Sequence, residues 1–382
     1  MDLSTRLIHH VNEKNSYSDQ SKASEKSVIT PLYMSTTFER GESGMDFPGG
    51  YIYGRYDNPN RHILEEKLAD MEEGAACVSF ASGMAAATAV FQSLQSGDHI
   101  LLPDDTYFVV RQVLDVLFSR FGITYTLVDM THSDALASKI RSNTKLIWIE
   151  TPSNPLLKIT DIQAIVGIAK EHHCITVVDN TWPTPYFTQP IALGADIILH
   201  STTKYLGGHC DLIGGALVFR KKDAHYELIR NIQKLGGAIP SPQDCWMLCR
   251  SLNTFSARMP IHANNAMQLA RYLEQHPVIE KVFYPGLQSH PHHEIAKQQM
   301  KGGFGGMISV LVKGGLTKAL QIAGKLKHFK HATSLGGVES LVEHRQSIEG
   351  TTSKTPDNLL RISVGIEHID DLINDWKNVL GA

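Results

Sequence analysis

Residues 195–201, ADIILHS, followed by 202–209, TTKYLGGH, set the reading of the whole chain. The first run is apolar and of strand length, and Lys204 stands right behind it, flanked by hydroxyl residues and a Gly-Gly pair. An ammonium in that position is costly unless the amine has a chemical purpose. A partly desolvated lysine has a lowered pKa and becomes a nucleophile, which is the setting that Schiff-base lysines need.

Runs of the same kind recur on both sides: CVSFA (77–81), HILLP (99–103), ITYTLVD (123–129), KLIWIE (145–150), ITVVD (175–179) and GGALVF (214–219). Helical patterns separate them, and in DIQAIVGIAKEHH the residues Ile162, Ile165, Val166 and Ala169 recur at helical spacing as one apolar stripe. This alternation predicts an α/β fold with a mostly parallel seven-stranded sheet and helices on both faces. After about Pro242 the rhythm loosens into a long helical stretch through DCWMLCRSLNTFSARMPIHANNAMQLARYLEQH. GMISVLV (306–312), a helix near LTKALQIAGKL, the strand-like LLRISVGI (359–366) and a last helix IDDLINDWKNVL follow, a smaller α+β domain. The expected division is an N-terminal arm over 1–55, a large domain over 56–242 and a smaller one over 243–382. The arm is polar and irregular, with SYSDQSKASEKS and the Gly-Pro-rich FPGGYIYGRYDNPN, and is expected to lie on another surface such as a second subunit.

In parallel sheets ligands sit beyond the carboxyl ends of the strands, and those ends carry polar residues here. Ser82-Gly83-Met84-Ala85-Ala86 is a small-residue turn opening a helix, where free N–H groups and the helix dipole suit an anion. Asp179, ending a very apolar strand, is either a cap or turn residue or a buried carboxylate awaiting a cation such as a protonated pyridine nitrogen. Ser201 and Thr203 are placed to donate to phosphate oxygens while Lys204 reaches an aldehyde carbon. Two prolines stiffen Glu150-Thr151-Pro152-Ser153-Asn154-Pro155 around Asn154. Tyr107 follows another strand, as core filler or as a ring stacked on a cofactor.

Size and composition bound the rest. A chain of 382 residues implies about two domains, and 42% hydrophobic with 20% charged residues and a net charge of -3 is a globular balance without the basic footprint of a nucleic-acid binder. No apolar run approaches the roughly 20 residues that span a bilayer, and MDLSTRLIHHVNEKN lacks a signal-like apolar stretch, so a cytoplasmic protein without membrane contact is expected. Cys77, Cys174, Cys210, Cys245 and Cys249 have no paired spacing and read as reduced thiols. His290, His292 and His293 lie in a turn-forming SHPHHE without an ordered second half of a site, so no metal is expected.

Taken together, these residues resemble the Cys/Met-metabolism (transsulfuration) family of pyridoxal-phosphate (PLP) enzymes, which includes cystathionine γ-synthase, cystathionine γ- and β-lyases, methionine γ-lyase and O-acylhomoserine sulfhydrylases. The resemblance covers almost the whole chain, through TPLYMSTTF, YGRYDNP, SGMAA, ETPSNPLLKITDI, VVDNTWPTPYFTQP, HSTTKYLGGHCD, SLGGVESLVEH and LLRISVGIE. It implies the aminotransferase-like PLP fold type I. It further implies that Lys204 carries PLP as a Schiff base, that Asp179 pairs with the pyridinium nitrogen, and that Tyr107 stacks on the ring and assists as a base. Asn154 is then near the ring hydroxyl, and Gly83 and Met84 backbone groups with Ser201 and Thr203 hold the phosphate. Tyr53 and Arg55 are implied to reach the phosphate of a neighbouring subunit, in a homotetramer made of two active dimers. Arg361 matches the arginine that binds the substrate carboxylate, Ser340 adds a contact to the same group, and Glu339 helps define the substrate pocket.

The chain departs from the family pattern at three places. Tyr107-Phe108-Val109-Val110 replaces the usual Tyr-Gly-Gly-Thr, Cys210 stands where serine is common, and Arg345-Gln346-Ser347-Ile348-Glu349-Gly350 replaces Pro-Ala-x-Met-Thr-His. All three fall on the leaving-group side of the pocket rather than on the cofactor site. The implied reaction is a β- or γ-elimination or a replacement on a sulfur-containing or O-acylated amino acid, with cystathionine cleavage or formation favoured by the Glu339 context. O-acylhomoserine sulfhydrylase or methionine γ-lyase activity is the alternative. A PLP aminotransferase fits the family motifs less well, and a non-catalytic PLP-fold protein is disfavoured by the intact Lys204, Asp179 and Arg361.

Overall fold

Alternating side chains along each apolar run have to leave the sheet on opposite faces, so a two-sided core follows directly from the sequence. The computed structural model describes residues 2–14, 28–350 and 353–381; the polar SYSDQSKASEKS segment, 16–27, lies outside the described residues. The seven runs form one sheet: β1 (Ala76–Phe80), β2 (His99–Pro103), β3 (Thr124–Val128), β4 (Thr144–Glu150), β5 (Ile175–Asp179), β6 (Ile197–Ser201) and β7 (Gly215–Phe219). Their order is β1-β7-β6-β5-β4-β2-β3. From β6 to β3 every pairing is parallel, while β7 runs antiparallel to both β1 and β6. Leu146, Trp148, Val177 and Leu199 enter the core on one face, and Ile147, Ile149, Val178 and Ile198 enter the core on the other.

The helix Ile162–Glu171 covers the second of these faces with Ile162, Ile165, Val166 and Ala169, all buried, and Asp161 caps it by accepting from the Ala164 N–H. Because β1, β2, β4, β5 and β6 run the same way, their carboxyl ends open at one edge. Glu150 of β4 lies opposite Asp179 of β5, and Asp179 opposite Leu199 of β6. That register places the residues following the strands around a single space.

A second sheet has the order β10-β11-β12-β9-β8, built from β8 (Ile279–Phe283), β9 (Met307–Val312), β10 (Lys330–His331), β11 (Leu341–His344) and β12 (Leu359–Ser363). The helices Gly315–Lys325 and Ile369–Leu380 accompany it, and Trp376 packs edge-on against Phe329 in its core. The strands β8, β10 and β11 escape a pattern reading. In β8 the buried Ile279 and Val282 flank exposed Glu280 and Lys281, and β11 is only four residues, two of them a buried Glu343 and His344. The long helical stretch is two helices, Pro242–Leu252 and Phe255–Glu274.

The start of the chain differs from the irregular segment expected there. Leu3–Lys14 is a helix, anchored by Leu7, which is buried among Leu64 and Leu68, and by an Arg6 to Asp70 ion pair at 3.2 Å. A single well-placed leucine thus docks an otherwise polar segment.

Ile198, fully buried at the centre of β6, supports the strand that carries Lys204. Ile198→Ala is expected to destabilise the protein by about 2–5 kcal/mol, read as a lowered denaturant midpoint; an unchanged midpoint would contradict the packing described.

Candidate active site

The helix Gly83–Gln92 begins directly behind β1, with the Ser82 hydroxyl accepting from the Ala85 N–H. A Cβ on Gly83 would lie 2.8 Å from the Ser201 Cβ and 2.9 Å from its Oγ, so only glycine lets the helix N-terminus approach the end of β6 this closely. Ser201, Thr203 and Lys204 follow on the next turn. The Thr203 hydroxyl is tied to Gly214, donating to its carbonyl at 3.2 Å and accepting from its N–H at 3.0 Å.

These residues, with Met84, Tyr107, Asn154, Asp179 and Arg361, line one cavity of about 250 Å³ at the carboxyl edge of the sheet. Lys204 Nζ donates to Ser334 Oγ at 2.7 Å. Burial, and secondly the Arg361 guanidinium, bring the lysine amine down to about 8. Asp179 accepts from the Thr181 N–H at 3.0 Å, takes part in no ion pair among the described residues, and is pushed up by burial. Glu150, its neighbour across the strands, is likewise pushed up by burial; it accepts from Thr106 Oγ1 and from the Tyr107 N–H, both at 2.8 Å, and so fixes where Tyr107 begins. Burial also raises the Tyr107 phenol, against the opposing pull of Arg345 and Arg361.

Arg361, on β12, reaches the cavity from the second sheet. Its Nη1 donates to Asn154 Oδ1 at 3.1 Å, its Nη2 donates to the Ser334 carbonyl at 3.1 Å, and it pairs with Glu343. Burial brings this guanidinium down to about 10. The two sheets therefore meet across the site, and Asn154 is one of the links between them.

Not every expected residue is in the cavity wall. The Ser340 hydroxyl is turned away, donating to Glu367 at 2.9 Å and accepting from the Gly365 N–H at 2.8 Å, which secures the turn after β12. Glu339 lies beside Cys210, next to Gly337, with its Oε2 buried and lacking a partner. Tyr53 and Arg55 are also apart from Lys204 within one chain: Arg55 donates to the Lys234 carbonyl at 2.5 Å and stands 4.8 Å from the Tyr56 ring centroid. The serine that faces Lys204 is Ser334, which pattern reading passed over. Its φ of 91° is a conformation that non-glycine residues adopt at a cost. Gly336, at φ 77°, lets this loop pack on the Lys204-Tyr205 backbone, where a Cβ would come within 2.6 Å of the Tyr205 nitrogen. The signal was present in the SLGG motif, whose paired glycines mark a close approach.

Outside the cavity, His290 is buried with its Nε2 at 3.0 Å from the Leu157 carbonyl, and Cys77, Cys174 and Cys245 are buried free thiols. Among the described residues no helix is long and apolar enough to cross a membrane.

The cavity suits a phosphorylated pyridine aldehyde on structural grounds. A helix N-terminus that glycine keeps open suits a phosphate, a buried aspartate without an ion pair suits a protonated ring nitrogen, and a desolvated lysine amine suits an aldehyde. Fold and site together define a PLP-dependent enzyme. The chain belongs to the family described as Cys/Met metabolism PLP-dependent enzyme, whose model matches residues 5–381. It is 44% identical over 360 residues to a cystathionine gamma-synthase of Mycobacterium tuberculosis, covering 93% of this chain and 92% of that one. Identity is also 44%, over 364 residues, to a cystathionine beta-lyase of Lactococcus lactis, covering 92% and 94%. A solved cystathionine gamma-lyase from Lactobacillus plantarum, complexed with L-serine, superposes with a TM-score of 0.91 at 38% identity, covering 100% of this chain and 99% of that one.

Two outcomes follow from this geometry. Gly83→Ala is expected to weaken PLP binding by about tenfold or more, because the added methyl collides with Ser201; titration of the cofactor-free enzyme by visible absorbance measures it, and an unchanged affinity would contradict the cradle. The rate of PLP capture by cofactor-free enzyme should rise as pH passes up through about 8, where the Lys204 amine loses its proton. A rate independent of pH from 7 to 9 would count against that amine as the nucleophile.

Proposed function

We propose that this enzyme carries out β- or γ-elimination, or γ-replacement, on sulfur-containing or O-acylated amino acids, as a cystathionine lyase or cystathionine γ-synthase. The observation that carries the reading is the desolvated Lys204 amine, held by Ser334 in the same cavity as Asp179 and the Arg361 guanidinium.

PLP bound here would supply an imine-forming carbon for the substrate amine and an electron-poor ring able to delocalise charge at Cα. Lys204 would hold the cofactor through its Nζ, and the same amine, when free, would take the substrate Cα proton and return it to the substrate. Its lowered affinity for protons suits this exchange near neutral pH. Asp179 would hold the proton on the ring nitrogen, and the Gly83 and Met84 backbone with Ser201 and Thr203 would carry the phosphate. Tyr107 would lie beside the ring and exchange a proton with the arriving amine, Arg345 and Arg361 opposing the upward push that burial gives its phenol. Arg361 takes the α-carboxylate through its planar fork, oriented by Asn154. Glu339 and Ser340 act on the substrate side indirectly, Ser340 by holding Glu367 and the Gly365 turn and Glu339 by its charge beside Cys210.

The proposed arm, 1–55, brings Tyr53 and Arg55 to the phosphate of a neighbouring subunit, completing the site in an active dimer and, as two dimers, a homotetramer. Exposed Val28, Ile29 and Tyr53 along this arm favour burial against a second copy. The large domain is placed at 56–242, the smaller at 243–382, and the enzyme in the cytoplasm. The related O-acylhomoserine sulfhydrylase and methionine γ-lyase reactions are the second reading, motivated by the departures from the family pattern at 108–110 and 345–350.

Purified enzyme supplied with cystathionine, cysteine, methionine and O-acylhomoserines should form a keto acid, pyruvate from β-cleavage or 2-oxobutyrate from γ-cleavage. Lys204→Ala should lower turnover by about a hundredfold to ten-thousandfold. Amino-group transfer to a keto acid in place of elimination would overturn the assignment, as would full activity in Lys204→Ala.

A further inference from the structure

Arg345 is a second arginine in the cavity wall, and the reaction described above uses only its charge beside Tyr107. It opens the short helix Arg345–Glu349 immediately after β11 and lines the same cavity as Lys204 and Arg361. Its side chain is only 2% exposed. Nη1 donates to Glu343 Oε1 at 3.1 Å and Nε donates to Glu349 Oε1 at 2.8 Å. Nη2 is buried and has no hydrogen-bond partner. The guanidinium carbon stands 5.7 Å from the Tyr107 ring centroid and 5.1 Å from that of Phe108, so two aromatic rings hold its plane.

A purely supporting role explains only part of this arrangement. Glu343 and Glu349 already satisfy two edges of the guanidinium, and Glu349 is itself held by Ser353 and Thr355. Had Arg345 served only to hold Glu343, an acceptor for Nη2 would be expected from the protein, because an unmet N–H on a buried cation is costly. Its placement beside the cavity instead leaves that acceptor to a ligand. Glu343 also fixes the spacing, since one of its oxygens pairs with Arg361 and the other with Arg345. Two guanidiniums bridged by one carboxylate cannot move independently, so a substrate held by one meets the other at a set distance.

We propose that Arg345 selects substrates whose side chain ends in a carboxylate, Nη2 taking one of its oxygens while Arg361 holds the α-carboxylate. This deepens the proposed function and rests on its assignment of Arg361. A carboxylate suits the open position because a planar guanidinium binds it more strongly than a neutral acceptor. The aromatic faces of Tyr107 and Phe108 beside it exclude water from the contact. Arg345 and Phe108 lie in two of the segments in which this chain departs from the pattern of its family.

Binding to the PLP-loaded enzyme tests this without turnover. Isothermal titration would compare L-2-aminoadipate with L-norleucine, two six-carbon amino acids that differ in ending with a carboxylate or a methyl. The intact enzyme should bind L-2-aminoadipate tighter by about tenfold or more, and Arg345→Gln should abolish the preference, weakening L-2-aminoadipate more than L-norleucine by about tenfold. Arg345→Lys, which keeps the charge but not the fork, serves as the gentler variant and should reduce the preference by about threefold or more. Equal weakening of both ligands, a preference that survives either substitution, or no preference in the intact enzyme would overturn the proposal. Failure of the reaction itself shows separately, as absence of keto acid from every substrate with this binding preference intact.

Discussion

Everything at the site depends on placing a lysine amine where water cannot fully solvate its charge. The apolar strand β6 delivers Lys204 to the carboxyl edge of the sheet, and the surrounding cavity wall keeps the amine partly dry. Burial and the nearby Arg361 charge bring it down to about 8, so that a group normally protonated in water becomes a usable nucleophile and base. Isolated from chemistry, such a residue would only cost stability. Its neighbours explain why the cost is tolerated: Ser334 accepts its hydrogen bond, and the Glu343 carboxylate favours its charge.

The second sheet matters because it carries the opposite wall. Arg361 extends from β12 to Asn154 of the large sheet, and the Ser334 loop reaches Lys204 from the same side. Neither sheet alone contains a complete site. Glu343 couples the two arginines of this wall, so their charges are balanced locally and their forks are held in fixed relation. The 345–349 segment therefore bears on this wall through Arg345, which packs on Tyr107 and shares Glu343 with Arg361.

Much of this was legible in the sequence because the large sheet obeys simple rules. Each of its seven apolar runs became a strand, and the parallel order put Gly83, Asp179, Ser201 and Lys204 at one edge, where such sheets bind ligands. The second sheet was less legible. Its short strands bury polar residues such as Glu343 and Ser309, which serve the site or the junction rather than a hydrophobic pattern. Ser334 was hidden for a related reason, since its role comes from a backbone conformation and from a glycine two residues later, not from a strand end. The position of Ser340 shows the converse: a serine in a suggestive motif can be spent on a turn. Arg345 stood out in sequence only as a departure from a pattern, and its burial between two carboxylates and two rings is a property of the folded chain.

The most direct measurement is to reduce the PLP-loaded enzyme with borohydride, digest it, and locate the pyridoxyl group by mass spectrometry. A single modified peptide carrying the label on Lys204 is the predicted result. Label on another lysine, or none in an enzyme that holds PLP, would contradict the assignment of Lys204 as the residue around which the site is built.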